Sequence, residues 1–150
     1  MKTEPVKLKF ARLALAGLYA AGAVFNLTFT RSNPSILLGW ADTSLIPLQA
    51  DLIRTLIAPN GAAFAVAVAA YELVTAGLLA AGPASARAGH VLAAAFNVVA
   101  APLWIVQVPL NGGLAVIHVL LYRAASSAVG QAPARRGPRP GSGGGKIRSL

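Results

Sequence analysis

Gly61–Ala81 reads GAAFAVAVAAYELVTAGLLAA: 21 residues without a proline and with a single charged side chain, Glu72. As a helix rising ~1.5 Å per residue, it matches the roughly 30 Å of a bilayer's hydrocarbon core. Three more apolar stretches, residues 10–29, 89–108 and 112–129, are separated from it and from each other by short polar breaks. The fourth is the weakest, because Arg123 cuts its apolar core short. A chain dissolved in lipid must satisfy its backbone groups internally, which leaves helices or a closed barrel. These stretches are Ala- and Leu-rich and show no two-residue alternation, so helices are expected. The reading is an all-α integral membrane four-helix bundle, residues 10–130, with an external segment at residues 30–60.

Composition agrees. Hydrophobic residues make up 56% of the chain and charged ones 11%, and mean hydropathy is +0.64. A soluble bundle of this length needs about twice that charge to coat its surface. Cysteine is absent, which excludes disulfides, thiol redox chemistry and thiolate metal sites.

The formal charge of +9 invites a nucleic-acid reading, and its distribution argues against one. Lys2, Lys7, Lys9 and Arg12 precede or open the first span. Arg87 lies between the second and third, and Arg123, Arg135, Arg136, Arg139, Lys146 and Arg148 fall in or after the fourth. Only Arg31 and Arg54 fall on the other side, offset by Asp42 and Asp51. This is the positive-inside bias. It predicts an inner-membrane protein with residues 1–9 and both termini in the cytoplasm, as four crossings require. The expected surroundings are a lipid bilayer with anionic headgroups against the basic tail, and no nucleic acid.

The N-terminal basic residues, apolar run and Ala21-Gly22-Ala23 triplet also describe a cleavable signal peptide over residues 1–23. The apolar run continues through Val24, Phe25, Leu27 and Phe29, which favours a retained helix. In the external segment, Leu48, Leu52, Ile53, Leu56 and Ile57 recur at helical spacing behind Pro47, a residue suited to a helix's first turn. An amphipathic helix along the interface is expected there, with Trp40 as a headgroup-level anchor and Pro59-Asn60-Gly61 as the turn into the second span. Gly82-Pro83-Ala84-Ser85 and Pro109-Leu110-Asn111-Gly112-Gly113 read as tight turns that make the last three spans antiparallel neighbours. Residues 131–150 are rich in Pro, Gly and Arg and read as a disordered basic tail, in which 141–145 has a linker's composition.

Inside lipid, helices associate through close packing at small residues and through interhelical hydrogen bonds. Gly17, Ala21, Ala69, Ala76, Gly77, Ala93, Ala94 and Ala101 supply the small residues. The polar side chains are more informative. A carboxylate at the depth of Glu72 costs about 2.5–3.5 kcal/mol on insertion scales, so it should face the interior and find partners. Counted inward at ~1.5 Å per residue, Tyr19 and Asn97 lie near its level, with Asn26 and His118 closer to the outer surface and His118 about 7 Å above Glu72. Arg12, Leu15, Tyr19, Gly22 and Asn26 follow steps of three and four, as do His90, Asn97, Trp104 and Gln107, and His118 and Tyr122. Every span thus carries one polar line, and the four lines are expected to meet. The candidate intramembrane site is Glu72, His118, Asn97, Asn26 and Tyr19.

His90 reads as interfacial, beside Arg87. Bis-histidine haem ligation is rejected because His90 and His118 count to opposite faces, and Glu72 with His118 makes too few ligands for a metal. No nucleophile–base–orienter set, phosphate loop or HExxH pattern is present.

The layout resembles the DoxX-like family of small four-span bacterial membrane proteins over about residues 10–122. The resemblance rests on RLALAGLYAAGAVFN (12–26) and, more strongly, on YELVTAGLLAAGPASARAG (71–89). In the latter, Glu72, Gly77, Leu78, Leu79, Gly82 and Arg87 match a Glu, a Leu/Gly-rich half-helix, a Gly turn and a basic residue. The resemblance implies an accessory subunit or binding protein with no redox cofactor of its own. Its possible companions are a quinone or lipid ligand and a partner membrane subunit or a second copy of the chain. Two alternatives stand beside it. One is an intramembrane enzyme using Glu72 and His118 as acid and base on a lipid-like substrate. The other is a proton-coupled solute transporter, for which the expected inverted repeat is not visible.

Overall fold

A computed structural model of the protein describes residues 4–103, 105 and 107–130, and all regular structure among them is helical. The α-helices are α1 (Val6–Phe25), α2 (Ile36–Thr43), α3 (Pro47–Leu52), α4 (Gly61–Ala81), α5 (Pro83–Ala100) and α6 (Gln107–Gly130). Four helical stretches are long and apolar enough to cross a membrane: Val6–Thr30, Pro47–Ala81, Pro83–Leu103 and Gln107–Ser127. Trp104 of the third polar line, Lys2 and the tail at 131–150 lie outside the described residues.

Phase explains which faces are buried. On α1 the inward residues Arg12, Ala16, Tyr19 and Ala23 repeat in steps of four and three, and Asn26 extends the row. Ala65, Ala69, Glu72, Ala76 and Leu79 do so on α4, as do Ala86, His90, Ala93 and Asn97 on α5. Each helix therefore turns one stripe of small and polar residues inward, the arrangement that lets neighbouring backbones approach. Of the small residues expected at contacts, Ala69, Ala76 and Ala93 are buried, whereas Gly17, Ala21 and Gly77 face outward. Those three are out of phase with their helix's polar line. The outward faces are apolar, with Phe10, Leu18, Leu73, Val74, Val98 and Leu120 among the exposed side chains.

Helix α4 packs against both α1 and α5, and α6 packs against α5. Gly89 lets α5 approach α4 closely, since a Cβ there would meet Leu79 Cγ at 3.0 Å. At the far end of α4, Arg12 of α1 donates to the carbonyl oxygens of Leu79 and Ala80. It satisfies acceptors that the last turn of a helix leaves without intrahelical partners. Glu4 grips the same guanidinium at 3.1 and 3.0 Å. Among the described residues, α1 begins at Val6 and Glu4 is tied to Arg12 on it.

Several boundaries differ from expectation. Only Gly82 separates α4 from α5, because Pro83 opens α5 at its first position, where a missing N–H is harmless. Gly82 has φ 147° and ψ 176°, a region essentially restricted to glycine. Gly82→Ala is expected to destabilise the fold by about 1–3 kcal/mol, read as a lowered thermal midpoint in detergent. The break between the last two long helices falls at Ala101–Leu103, a 3₁₀ turn, and not at Pro109. Pro102 cannot donate a backbone bond and so ends α5, whereas Pro109 sits in the first turn of α6, where no donor is needed. Gln107 consequently belongs to α6.

The segment between the first and second long helices holds two helices, α2 and α3, where one was expected. Nor does Pro59-Asn60-Gly61 turn the chain. Helical residues run without interruption from α3 through a π-turn (Ile53–Ile57) and a 3₁₀ turn (Ala58–Asn60) into α4. Asn60 Nδ2 donates to Leu56 O at 2.8 Å, giving that carbonyl a partner beside Pro59. Leu37, Ala41 and Ile53 form a small core with Trp40, Phe64 and Leu103 around them. Trp40 therefore packs within this cap. The cap is fastened to the α5–α6 break: Leu45 N–H donates to Pro102 O (2.8 Å), Thr43 Oγ1 to Leu103 O (3.0 Å) and Gln49 Nε2 to Val99 O (2.9 Å). Carbonyls left near the end of α5 and its 3₁₀ turn thus hold the cap.

Candidate functional site

Glu72 points into the bundle with 7% of its surface exposed. Asn26 Nδ2 donates to its Oε2 at 2.9 Å and also to Gly22 O at 3.2 Å. Gly22 lies directly against the carboxyl group, since a Cβ there would stand 2.6 Å from Glu72 Oε1. Asn26 opens a π-turn, Asn26–Thr30, that continues α1, and such turns recur at functional sites.

The partner of Glu72 is therefore Asn26 and not, as depth counting suggested, Tyr19 or Asn97. Because α1 starts at Val6, Arg12 and not Phe10 lies level with the last turn of α4. This shifts the register by about one turn and sets Gly22 opposite Glu72.

Tyr19 and Asn97 belong to a second buried group with both histidines. Asn97 Nδ2 donates to Tyr19 OH at 2.6 Å and to Ala93 O at 2.7 Å. Tyr19 OH lies 3.3 Å from His118 Nε2 and 3.4 Å from Ala93 O. His118 Nδ1 faces His90 Nδ1 at 3.0 Å. His90 is 3% exposed and His118 fully enclosed.

His90 is therefore not interfacial, and the two histidines do not sit at opposite faces. Since α5 begins at Pro83, His90 is seven residues in, roughly 10 Å along the helix. Since α6 begins at Gln107 and not Gly112, His118 lies about 7.5 Å deeper than counted, which cancels its expected height above Glu72. The haem argument changes with this. The facing nitrogens are at hydrogen-bond distance, whereas two trans metal ligands at ~2 Å each need about 4 Å between them. Among the described residues no group of three His, Asp or Glu side chains is placed to hold a metal.

Above Asn26 lies a cavity of ≈ 420 Å³ between the cap and the long helices. Its polar lining is Asn26, Trp40, Gln49, Gln107 and Asn111; the rest is aliphatic or aromatic, and no lining residue is charged. Gln49 is occupied by Val99 and Ser44. Asn111 Nδ2 donates to Gln107 Oε1 at 3.0 Å, leaving Gln107 Nε2 and Asn111 Oδ1 without hydrogen bonds among the described residues. Asn26 Oδ1 is likewise left as an acceptor. Ile53 and Ile57, in the second π-turn, line the same space.

Four helices contribute to the buried polar interior: Arg12 and Tyr19 from α1, Glu72 and Thr75 from α4, His90 and Asn97 from α5, and His118 from α6. Gln49 and Asn111 were not singled out as site residues from sequence, and Gly22 and Gln107 only as members of a polar line, because their importance depends on what lies across from them. His90 had the right spacing, three and seven residues before Ala93 and Asn97, but was misplaced in depth. Tyr122 is half-buried beneath Arg87, whose guanidinium carbon stands 5.9 Å from the ring centroid.

Fold and site together define an all-helical protein with four helices long and apolar enough to cross a membrane, enclosing a polar interior and a capped cavity. Comparison with protein-family models, curated proteins and solved structures finds no match.

Proposed function

We propose that the protein is a four-span inner-membrane protein, both termini cytoplasmic, that binds an uncharged, largely apolar small molecule in the capped cavity. It resembles the DoxX-like family in this reading and serves as a binding or accessory subunit beside a partner membrane protein or a second copy. The apolar outward faces meet lipid, and Arg12, Lys7, Lys9 and Arg87 cluster at the cytoplasmic end. The observation that carries the reading is the cavity, whose floor is Asn26, hydrogen-bonded to Glu72 behind it, and whose lining holds no charge among the described residues. At ≈ 420 Å³ it falls within the roughly 300–1,000 Å³ of small-molecule sites, suited to a quinone headgroup or the ring of a small lipid. Hydrogen-bonding groups at Asn26, Gln107 and Asn111 suit a carbonyl or hydroxyl, and the absence of a lining cation disfavours phosphate or carboxylate.

The acid–base alternative draws less support, because both ring nitrogens of His118 are engaged by Tyr19 and His90 rather than presented to the cavity. The test is extraction in mild detergent followed by mass spectrometry of co-purifying small molecules. A neutral ring compound or lipid is expected. Glu72→Gln should retain it about two- to tenfold less, since a hydrogen bond between uncharged groups contributes about 0.5–1.5 kcal/mol. Unchanged occupancy and stability in Glu72→Gln would show that the site lies elsewhere.

A further inference from the structure

Thr75 is fully buried, and its Oγ1 has no hydrogen-bond partner among the described residues. A buried hydroxyl left unpaired is destabilising, so its position asks for an explanation. Helices α1 and α4 run antiparallel, with Gly22 opposite Glu72 and Arg12 opposite Leu79. Moving one turn from the first pair toward the second places Tyr19, three residues before Gly22, opposite Thr75, three residues after Glu72. The orphaned hydroxyl thus falls between the carboxyl group and the Tyr19–His118–His90 row. On the carboxyl side, Glu72 Oε1 has no hydrogen bond among the described residues, Asn26 taking Oε2 only.

We propose that Glu72, Thr75, Tyr19, His118 and His90 form a proton-transfer chain between the cavity floor and the histidine pair, Thr75 joining Glu72 to Tyr19 directly or through one bound water. This goes beyond ligand binding, which needs no such chain. The transfer balances at every atom. The Glu72 carboxyl proton passes by way of the Thr75 hydroxyl or its water to the Tyr19 oxygen. Tyr19 gives its own proton to His118 Nε2, and the His118 Nδ1 proton moves to His90 Nδ1. The products are a Glu72 carboxylate and a His90 imidazolium.

The geometry provides the two orientations this needs. Asn97 holds the Tyr19 oxygen as an acceptor, and the hydroxyl has two acceptors of its own, His118 Nε2 and the Ala93 carbonyl, at nearly equal distance. Pointing to His118, it leaves that ring's Nδ1 protonated and donating to His90. Pointing to Ala93, it lets His118 Nε2–H donate to Tyr19 and places the shared proton on His90 Nδ1. In both states one of the facing Nδ1 atoms carries a hydrogen, because two lone pairs at 3.0 Å would repel.

The chain has two histidines, both in this group, so ¹⁵N-histidine labelling of the full protein, purified without a histidine tag and placed in lipid nanodiscs, reports them alone. One ring is expected in the Nδ1–H form. Exchange of its ring proton with deuterated solvent should slow at least about tenfold in the near-isosteric Thr75→Val and in Tyr19→Phe, a modest demand against the ~10²–10⁴ that a positioned proton-transfer group contributes. Thr75→Ser should restore the wild-type rate. Finding both rings in the Nε2–H form, or wild-type exchange in Thr75→Val, would overturn the proposal. Neither result depends on a ligand in the cavity.

Discussion

Arg12→Met is expected to destabilise the protein by about 3–5 kcal/mol, the range for removing one partner of a buried ion pair. Arg12 is 6% exposed, and its guanidinium performs two tasks at once. It caps the carbonyls of Leu79 and Ala80 and holds both oxygens of Glu4. Methionine matches the length of the stem but leaves the Glu4 carboxylate and the end of α4 without partners. Arg12→Lys should lose less, since it keeps the charge but lacks the planar fork that meets a carboxylate and a carbonyl together. Unfolding in mixed detergent micelles measures both variants. Wild-type stability in Arg12→Met would mean that the start of α1 and the end of α4 are not joined in this way.

Gly22→Ala should have the second large effect, on folding and on binding together. The added methyl group would stand 2.6 Å from Glu72 Oε1 and 3.0 Å from its Cδ, so the carboxyl must swing away from Asn26. Overpacking of this kind destabilises by about 1–3 kcal/mol. Loss of the Asn26 bond, about 0.5–1.5 kcal/mol between uncharged groups, should lower ligand occupancy roughly 2- to 10-fold. Gly17→Ala is the control on the same helix, because a Cβ there meets nothing within 4 Å. If both variants retain ligand equally, the cavity floor is not where the ligand's polar group rests.

How far the chain could be read in advance follows from which physical signals are local. The long apolar helices were legible because length and hydropathy are properties of a segment alone. So was the inward stripe: Arg12, Tyr19 and Asn26, or His90 and Asn97, reveal their shared face through steps of three and four. Depth was not legible. It depends on where each helix starts, and Pro83, Pro102 and Pro109 all occupied positions in which proline's missing donor reads ambiguously from sequence. Misplacing two starts by five or six residues sent His90 and His118 to opposite faces, although they are hydrogen-bonded neighbours. The cap was half legible, since α3 has helical periodicity. Its attachment to Val99, Pro102 and Leu103 was not, because those acceptors exist only once α5 breaks.

The functional reading turns on whether the Glu72 side chain is enclosed by α1. Because the chain has no cysteine, the paired variant Gly22→Cys/Glu72→Cys reports this contact without background. A disulfide needs Cα atoms about 4.4–6.8 Å apart, and substituting Glu72 removes the atoms that crowd Gly22. Mild oxidation in native membranes should cross-link this pair within one chain, while Gly22→Cys/Val74→Cys should not, since Val74 faces outward at 57% exposure. Cross-linking no greater than in the Val74 control would contradict the enclosed carboxyl group and the site built on it.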